Sequence, residues 1–335
     1  MRSMSAPNDD KPLVTIAVTA FNAEDTIERA IASALAQSWR PVEILVVDDA
    51  STDATAELVS SLACKHPEIK LIRHRENRGV GGARNTLINA AVGQFVIFFD
   101  DDDMSVPHRV CTQIERIIAY EHRFAPEGLV VCHSARRQTM PDGGKRIERA
   151  MGDRLALTEP APSGRRVAER VLTGRPITGG LGTSATCSQA ARRSTYQHIG
   201  GFDPAFRRSE DTEFCIRAAL AGGHFIGIAE PLVEQTMTLS SEKTLSAEYE
   251  AMMSVLDKHQ SVFGTAHAYS FARRWLWLKY QLLAGRRVSF AIGLAILAIK
   301  APLQTVRRFV YALPMAGSRG GVRRLHLHAS PAKDT

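Results

Sequence analysis

Residues 95–103 read FVIFFDDDD, a short apolar run followed directly by four aspartates. Near-continuous apolar and aromatic residues over a few positions are typical of a strand that is buried on both faces of a parallel sheet. Ligands of such sheets bind beyond the carboxyl ends of the strands. Because the aspartates stand at such an end, this stretch predicts both a strand and one edge of a functional site.

The first hundred residues repeat this pattern and alternate it with helical periodicity. The apolar, strand-like runs are Leu13–Thr19, Val42–Val47, Ile69–His74 and Phe95–Phe99. Helices are expected between them, at about 27–35, 53–64 and 83–91. Asn22 is the expected cap of the first helix, and Gly79, Gly81 and Gly82 precede the third. This order predicts an α/β fold with a mixed, mostly parallel sheet flanked by helices.

Residues 134–182 are rich in Arg, Gly and Pro and show little periodicity. We therefore expect loops there, with one short helix near Arg165–Leu172. A long irregular stretch in a compact chain is often a functional loop or a lid.

The composition excludes several classes of protein. The chain has 335 residues, of which 44% are hydrophobic and 23% are charged, so a disordered, collagen-like or coiled-coil protein is not expected. Five scattered cysteines without a CxxC pair indicate a reducing compartment rather than a disulfide framework or a thiolate zinc site. The first residues contain no apolar run, so no secretory signal is expected.

The aspartate run predicts a cation site. Adjacent carboxylates repel one another unless a cation neutralises them, and oxygen ligands favour Mg²⁺ or Mn²⁺. Asp100 and Asp102 point the same way along an extended chain. The alternative is a solvated acidic turn, but the buried strand before it favours a metal site that also receives a substrate diphosphate. A calcium-sensor loop is excluded, because DDDDMSVPHRVC lacks the required Gly and Glu.

Two further sets of polar residues follow strands. Asp48 and Asp49 end the second strand, where they accept hydrogen bonds from a nucleobase or a ribose, or else cap the next helix. Arg84 lies just inside the helix after the three glycines, where the helix N-terminus favours anions. No GxGxxG follows the first strand and no GxxxxGK[ST] occurs, so a dinucleotide-binding dehydrogenase and a P-loop nucleotidase are not expected.

A second acidic group comes later, at the start of an expected helix that ends near Leu220. Glu210, Asp211 and Glu213 lie in its first turn. Helix capping is one explanation, because the helix dipole favours acids there. The other is a general base that takes the proton from an attacking hydroxyl.

The stretch Leu13–Arg109 resembles the nucleotide-sugar domain of family 2 glycosyltransferases, which have the GT-A fold. The motifs that carry the resemblance are VTIAVTAFNAEDTIERAIASALAQSW, EILVVDDASTDAT, NRGVGGARNTLINAAVGQFVIFFDDDD and VPHRV. It continues through GGFDPAF and SEDTEF and covers roughly residues 12–235. The resemblance implies an inverting transfer of a sugar from a nucleotide-sugar, by default a UDP-sugar, to a hydroxyl acceptor in surface polysaccharide or glycolipid synthesis.

The resemblance and the strand-end positions together give a set of candidate site residues. Six are expected to bind the nucleotide: Thr19, Asn22, Asp48, Asp49, Arg84 and Asp100. Asp102 matches the metal-contacting aspartate of the family's DxD motif, and Asp211 matches the catalytic base. Three others are expected in support: Asp103, Glu210 and Arg208.

Three other functions fit part of the pattern. A metal-dependent nucleotidyltransferase shares the metal and nucleotide chemistry, although the Glu210–Asp211 pair favours an acceptor base. A phosphohydrolase with Asp100 as nucleophile normally has its motif after the first strand, whereas here it follows the fourth. A catalytically inactive, membrane-associated scaffold does not need the acidic positions that this chain retains.

The C-terminal part differs in charge from the rest. Residues 270–335 contain 12 Lys and Arg and one acid, Asp334, whereas the preceding residues contain 30 basic and 34 acidic residues. The longest apolar run, Val288–Ile299, is shorter than the roughly 20 residues that span a bilayer. Its basic flanks and the tryptophans before it predict interfacial helices on an anionic membrane surface. Packing on the protein, or a homodimer, is the alternative.

The expected organisation has five parts: a disordered N-terminus (1–11), a nucleotide-sugar-binding half (12–130), an acceptor-binding half (131–240), a helical, membrane-interfacial region (241–314) and a basic disordered tail (315–335). The expected partners are a nucleotide-sugar donor, a saccharide or lipid-linked acceptor and an anionic membrane, with no nucleic acid. The expected location is cytoplasmic, peripheral at the inner face of the plasma membrane.

Overall fold

The four apolar runs of the first hundred residues form strands, as expected. They are β1 (Val14–Ala20), β2 (Val42–Asp48), β3 (Ile69–Arg73) and β4 (Phe95–Asp100). β1 lies between β2 and β4, β3 lies outside β2, and all these pairs are parallel. Every residue of β1 is buried, because helices cover both faces of the sheet, and this explains why the runs are continuously apolar.

Four helices accompany these strands: α1 (Ile27–Leu35), α2 (Thr55–Lys65), α3 (Gly79–Ala90) and α4 (Arg109–Phe124). Alternate strand residues face opposite layers. Ile16 packs in one core with Ile31 of α1 and Ile114 of α4. Ala17, the next residue, packs in the other core with Leu87 of α3. The sheet is therefore a central layer between two helical layers.

Two local expectations are wrong. Helix α3 begins at Gly79, so the three glycines lie in its first turn rather than before it. Asn22 does not cap α1, whose N-cap residue is Thr26. The backbone of Asn22 is in the left-handed region, with φ of 49°, and its side chain binds the loop after β2 instead.

The second half of the chain extends the same sheet. Its strands are β5 (Met104–Ser105), β6 (Val130–Thr139), β7 (Lys145–Glu148), β8 (Gln189–Arg192) and β9 (His224–Thr236). The sheet order is β3-β2-β1-β4-β8-β6-β9-β5, with β7 paired to β6. β8 joins antiparallel to β4, and β6 is parallel to β9. The sheet is therefore mixed, and its longest ladders are parallel, as the expected fold class required.

The segment expected to be loops is partly regular. β6 continues to Thr139 and pairs with β7, so this part of the expectation is wrong. The short strand β7 lies off the main path of the sheet, so its residues are exposed or half-buried and mostly charged, and they do not show a strand pattern in the sequence. The short helix was expected correctly and is α5 (Arg165–Thr173).

The remaining helices cover one side of the sheet and form the C-terminal region. They are α6 (Arg193–Ile199), α7 (Glu210–Leu220), α8 (Leu245–Lys258), α9 (Ala266–Leu283), α10 (Arg287–Lys300) and α11 (Pro302–Ala316), with short 3₁₀ turns at Thr186–Ser188 and Gln260–Phe263. The C-terminal helical extension of the expected fold is thus present. Within the described part of the chain, no helix combines the length and apolar character that crossing a membrane requires.

The computed structural model describes residues 11–153, 158–180, 182–237 and 244–316, with side chains to residue 311. The segments expected to be disordered, 1–11 and 315–335, fall outside these ranges except for residues 11, 315 and 316.

Candidate active site

The ends of β2 and β4 meet at one edge of the sheet, on either side of β1. Thr19 of β1 pairs with Asp100 of β4, and Ala20 pairs with Asp48 of β2. Neighbouring strands are about 4.8 Å apart, so the two acidic strand ends are about 10 Å apart. One molecule of nucleoside-diphosphate size reaches both.

Arg84 joins this edge to the second acidic group. Its guanidinium is buried, with Nη1 2.6 Å from Glu210 Oε1 and Nη2 3.4 Å from Asp100 Oδ1. The same guanidinium lies 5.3 Å from the centre of the Phe202 ring. Burial on its own lowers the pKa of Arg84, but the attraction of Asp100 and then Glu210 outweighs it and raises the pKa. Arg84 therefore stays charged and brings β4, α3 and α7 together.

Glu210 and Asp211 occupy the first turn of α7, as expected. Ser209 before them has φ of 58°, so the chain turns sharply into the helix. Burial, and then the neighbouring Asp211, raise the pKa of Glu210, although Arg84 lowers it. Asp211 is half-buried, and its Oδ1 accepts a hydrogen bond of 2.6 Å from the main-chain N–H of Thr212.

The aspartate run turns immediately after β4. Burial and then the charges of Asp100 and Asp102 raise the pKa of Asp103 to about 8. Burial is also the main cause that raises the pKa of Asp101, to about 7. The hydrogen bond of 2.9 Å that its Oδ2 accepts from the Phe21 N–H acts in the opposite direction and lowers the pKa. Burial, helped by the charges of Asp100 and Asp102, thus opposes the ionisation of Asp101 and Asp103.

Part of this run forms a candidate cation site. One potential ligand atom from each of Asp100, Asp103 and Cys187 lies within 4.8 Å of the others. Asp103 is buried, and its Oδ1 has no hydrogen-bond partner among the described residues. Asp102, the expected metal ligand, is half-exposed, and its main-chain oxygen accepts a hydrogen bond from Arg29.

The two aspartates after β2 differ in their surroundings. Asp48 is fully buried, accepts a hydrogen bond from the Ser51 N–H and lies 3.5 Å from Arg73, so it stabilises the turn. Asp49 is held by its Oδ1, which is 2.6 Å from His74 Nδ1 and 2.9 Å from the Arg78 N–H.

The other expected residues have less defined positions in the site. Thr19 is buried at the end of β1. Asn22 links the loop after β1 to the loop after β2, through Ser51 and Thr52. Arg208 is half-buried in the loop that precedes α7.

Reasoning from the sequence missed the residues beneath the aspartate run. Arg109 is fully buried, and it donates hydrogen bonds to the Phe98 carbonyl oxygen, Ser105 and Gln113. Its regular spacing of four residues from Ser105 and from Gln113 is a signal that was available in the sequence.

A second buried arginine, Arg136 of β6, contacts Cys187, Thr183 and Gln235. Gln235 in turn donates to Asp103 Oδ2. Because these residues are 47 to 132 positions apart, no local pattern in the sequence reveals the network.

Two curated relatives are similar to part of the chain. ExoO of Rhizobium meliloti (strain 1021), a succinoglycan biosynthesis protein, is 46% identical over 129 residues, which are 38% of this chain and 36% of the relative. WfaP of Escherichia coli is named UDP-Glc:alpha-D-GlcNAc-diphosphoundecaprenol beta-1,3-glucosyltransferase. It is 36% identical over 102 residues, which are 30% of this chain and 40% of WfaP. The matches thus span well under half of each relative's length.

Two solved structures are similar over nearly the whole chain. S. aureus TarS 1–349 in complex with UDP-GlcNAc aligns with a TM-score of 0.58 at 17% identity, covering 95% of this chain and 91% of that chain. The mannosyltransferase PcManGT from Pyrobaculum calidifontis, in complex with GDP-Man and Mn²⁺, gives 0.53 at 17% identity, covering 91% and 87%. These likenesses show that the fold is GT-A, as expected. Residues 15–163, a little under half of the chain, match the family model of glycosyl transferase family 2.

Proposed function

We propose that this protein transfers a sugar from a nucleotide-sugar, a UDP-sugar, to a hydroxyl acceptor in the synthesis of a surface polysaccharide or glycolipid. The observation that carries the proposal is the Arg84 bridge between Asp100 and Glu210. It holds the acids of β4 and those of α7 on two sides of one buried cation. A site for a diphosphate donor is thereby adjacent to a site for a base that acts on the acceptor.

The donor site is proposed at the ends of β1, β2 and β4. Asp49 is fixed by His74 and the Arg78 N–H, which orients its carboxylate for a nucleobase or ribose. Thr19 lies between the two acidic strand ends. The UDP-GlcNAc complex of TarS supports a uridine nucleotide, because the two folds align over most of both chains.

The residues present fit a divalent cation. The clustered carboxylates of Asp100 and Asp103, with the unpartnered Asp103 Oδ1, leave negative charge that a hard cation neutralises. We propose Asp102 as its principal ligand, with Asp100 and Asp103 in support, and Mg²⁺ or Mn²⁺ as the ion. Such an ion, when bound, offsets the charge that develops on the leaving diphosphate.

Asp211 is the proposed general base. Its Oδ1 is held by the Thr212 N–H, which fixes the carboxylate in the first turn of α7. It takes the proton of the acceptor hydroxyl, whose oxygen attacks the anomeric carbon from the face opposite the diphosphate. The bond to the diphosphate breaks as the new glycosidic bond forms, so the configuration inverts. Glu210, engaged with Arg84, positions the turn.

The acceptor and the location are proposed from the relatives. WfaP is named for a diphosphoundecaprenol-linked acceptor and ExoO for succinoglycan biosynthesis. We propose that this protein acts on a lipid-linked saccharide at the inner face of the plasma membrane, as a peripheral cytoplasmic enzyme.

Separating binding from transfer tests the proposal. UDP release is measured across a panel of UDP-sugars with Mn²⁺, and UDP binding is measured by calorimetry. Asp211→Asn is expected to lower kcat about a thousandfold with unchanged UDP binding, because only the proton acceptor is lost. Asp102→Asn is expected to abolish the Mn²⁺-dependent part of UDP binding.

The matched control is Glu127→Gln, an equivalent change at an exposed acid, which is expected to alter neither quantity. Transfer by Asp211→Asn at the wild-type rate would show that another group is the base. Equal UDP binding with and without Mn²⁺ would refute the cation site.

A further inference from the structure

Helix α10 turns most of its apolar residues outward. The run Val288–Ile299 contains no charged residue, yet Leu297 is the one residue of α10 that is buried among the described residues. Val288, Ile292, Ile296 and Ile299 follow one another at intervals of four, four and three residues and so share a helix face. Their exposed fractions range from 42% to 81%.

Helix α11, which follows α10 directly, also exposes apolar residues. Leu303, Val306 and Val310 recur at intervals of three and four residues, and all are exposed. We call these seven exposed residues of α10 and α11 the α10–α11 surface: Val288, Ile292, Ile296, Ile299, Leu303, Val306 and Val310. Monomeric soluble proteins rarely expose so many large apolar side chains on adjoining elements, so a partner is expected.

A cavity of about 580 Å³ adjoins the α10–α11 surface, between α10, α9 and α8. Trp277, Ile292 and Ile296 line it, together with Arg274, which is exposed. A tryptophan beside an arginine is typical of a protein surface at the level of lipid headgroups.

The charges around this surface have one sign. From Ala266 to Tyr311 the sequence contains eight Lys and Arg and no Asp or Glu. Arg286 and Arg287 stand at the start of α10, and Lys300 stands at its end. Apolar residues within a basic frame match an anionic bilayer, which offers negative headgroups above apolar chains.

The same charges disfavour the other occupants. In a symmetric dimer through this surface, the cations of one copy would face those of the other, and like charges oppose such contacts. A nucleic acid would neutralise the cations but leave the apolar residues in water. The 14 residues of α10 are about 21 Å long, less than the roughly 30 Å hydrocarbon core, so α10 does not span the bilayer.

We propose that the α10–α11 surface lies on a bilayer containing anionic lipid, with α10 parallel to the membrane plane and its arginines at the headgroups. This deepens the peripheral location proposed above, by naming the contact surface and the lipid charge. Donor binding at the strand ends does not depend on it. The two proposals therefore fail in separate measurements.

The test is sedimentation of the full-length protein with vesicles. We expect binding to vesicles of phosphatidylcholine mixed with phosphatidylglycerol, and much weaker binding to phosphatidylcholine alone. Arg286→Gln with Arg287→Gln is expected to weaken binding about thirtyfold, and Ile299→Gln with Leu303→Gln about a hundredfold. All four side chains are exposed, so folding is expected to be unaffected.

Each pair of substitutions has a matched control outside the C-terminal helices. Lys65→Gln with Lys145→Gln removes the same net charge, and Val92→Gln with Ile147→Gln removes exposed apolar side chains. Both controls are expected to bind vesicles as the wild type does. UDP binding, measured in parallel, is expected to be unchanged in every variant.

Three results would overturn the proposal. The first is a wild-type protein that never sediments with the anionic vesicles. The second is equal loss of binding in the control pairs. The third is a lipid-free dimer, detected by light scattering, that Ile299→Gln with Leu303→Gln dissociates without affecting vesicle binding. Loss of UDP binding in the wild type would instead count against the proposed function.

Discussion

The sheet and the last two helices place charge and apolar surface in opposite ways. Within the sheet, every residue of β1 is buried, and the arginines Arg84 and Arg109 are buried with it. In α10 most of the apolar side chains are exposed, and the cations stand at the helix ends. The sheet therefore completes its own packing, whereas α10 and α11 have a surface that remains for a partner.

The difference shows that buried charged residues and exposed apolar residues contribute free energy to different processes, the first to folding and the second to binding. A buried arginine is stable only because its partners satisfy it, so removing the arginine leaves buried charges or acceptors unpaired. An exposed isoleucine contributes little to folding and is available for binding. Three predictions test this contrast.

Removal of the buried cation is expected to have the largest effect. Arg84→Leu leaves Asp100 and Glu210 facing each other without compensation, and we expect the free energy of unfolding to fall by about 4 kcal/mol. Urea denaturation near neutral pH measures the change. Glu210→Gln in the Arg84→Leu background is expected to recover part of the loss, because one unpaired carboxylate is removed. Additive losses in the double variant would contradict the bridge.

The same substitution in two helices addresses the contrast directly. Ile31 of α1 is fully buried, whereas Ile299 of α10 is 81% exposed. Ile31→Ala is expected to cost about 3 kcal/mol of unfolding free energy, through lost burial and the cavity that it leaves. Ile299→Ala is expected to change it by less than about 0.5 kcal/mol. Similar costs at the two sites, measured by thermal and urea denaturation without lipid, would mean that α10 is packed against the protein.

The junction between the sheet and the C-terminal helices gives a smaller expected loss of stability than Arg84→Leu or Ile31→Ala. Glu213 of α7 is buried beside Lys258 at 2.6 Å and His259 at 3.3 Å. Although burial on its own raises the pKa of Glu213, contacts with His259, Arg217 and Lys258 lower it from 4.5 to about 2. The resulting stability is fully present above the ordinary pKa and is lost as the pH falls toward the lowered one.

From these values the wild type loses about 2 kcal/mol through Glu213 between about pH 5 and pH 3. Glu213→Gln is expected to be less stable at neutral pH and to lack this part of the acid dependence. Denaturant titrations at several pH values measure both effects, and Glu127→Gln, at an exposed position, is the control. An unchanged acid dependence in Glu213→Gln would show that Glu213 does not titrate with a lowered pKa.

The strands and their acidic ends were predictable, because the signal lies within each run of residues. The apolar composition of Val42–Asp48 is enough to predict a buried strand, and Asp100 directly follows a similar apolar run, Phe95–Phe99. The start of α7 at Glu210 was equally local, since acids favour the first turn of a helix.

The contacts of the buried arginines near the aspartate run, Arg109 and Arg136, were not predictable in this way. Which side chain Arg136 contacts depends on how β6 and β9 are paired, and no pattern along the chain records that pairing. Asn22 illustrates the limit on the local scale. Asparagine is a common helix-capping residue, but here the side-chain oxygen of Asn22 accepts a hydrogen bond from the Thr52 N–H in the loop after β2.

The fixed carboxylate of Asp49 has a consequence for recognition. With Oδ1 held by His74 and the Arg78 N–H, the side chain has already given up its rotational freedom when the protein folds. A ligand that reaches it therefore meets no further entropic penalty for ordering it, and meets it in one orientation. Selectivity at Asp49 therefore depends on a carboxylate that is already oriented before the ligand binds, and not on a rearrangement during binding.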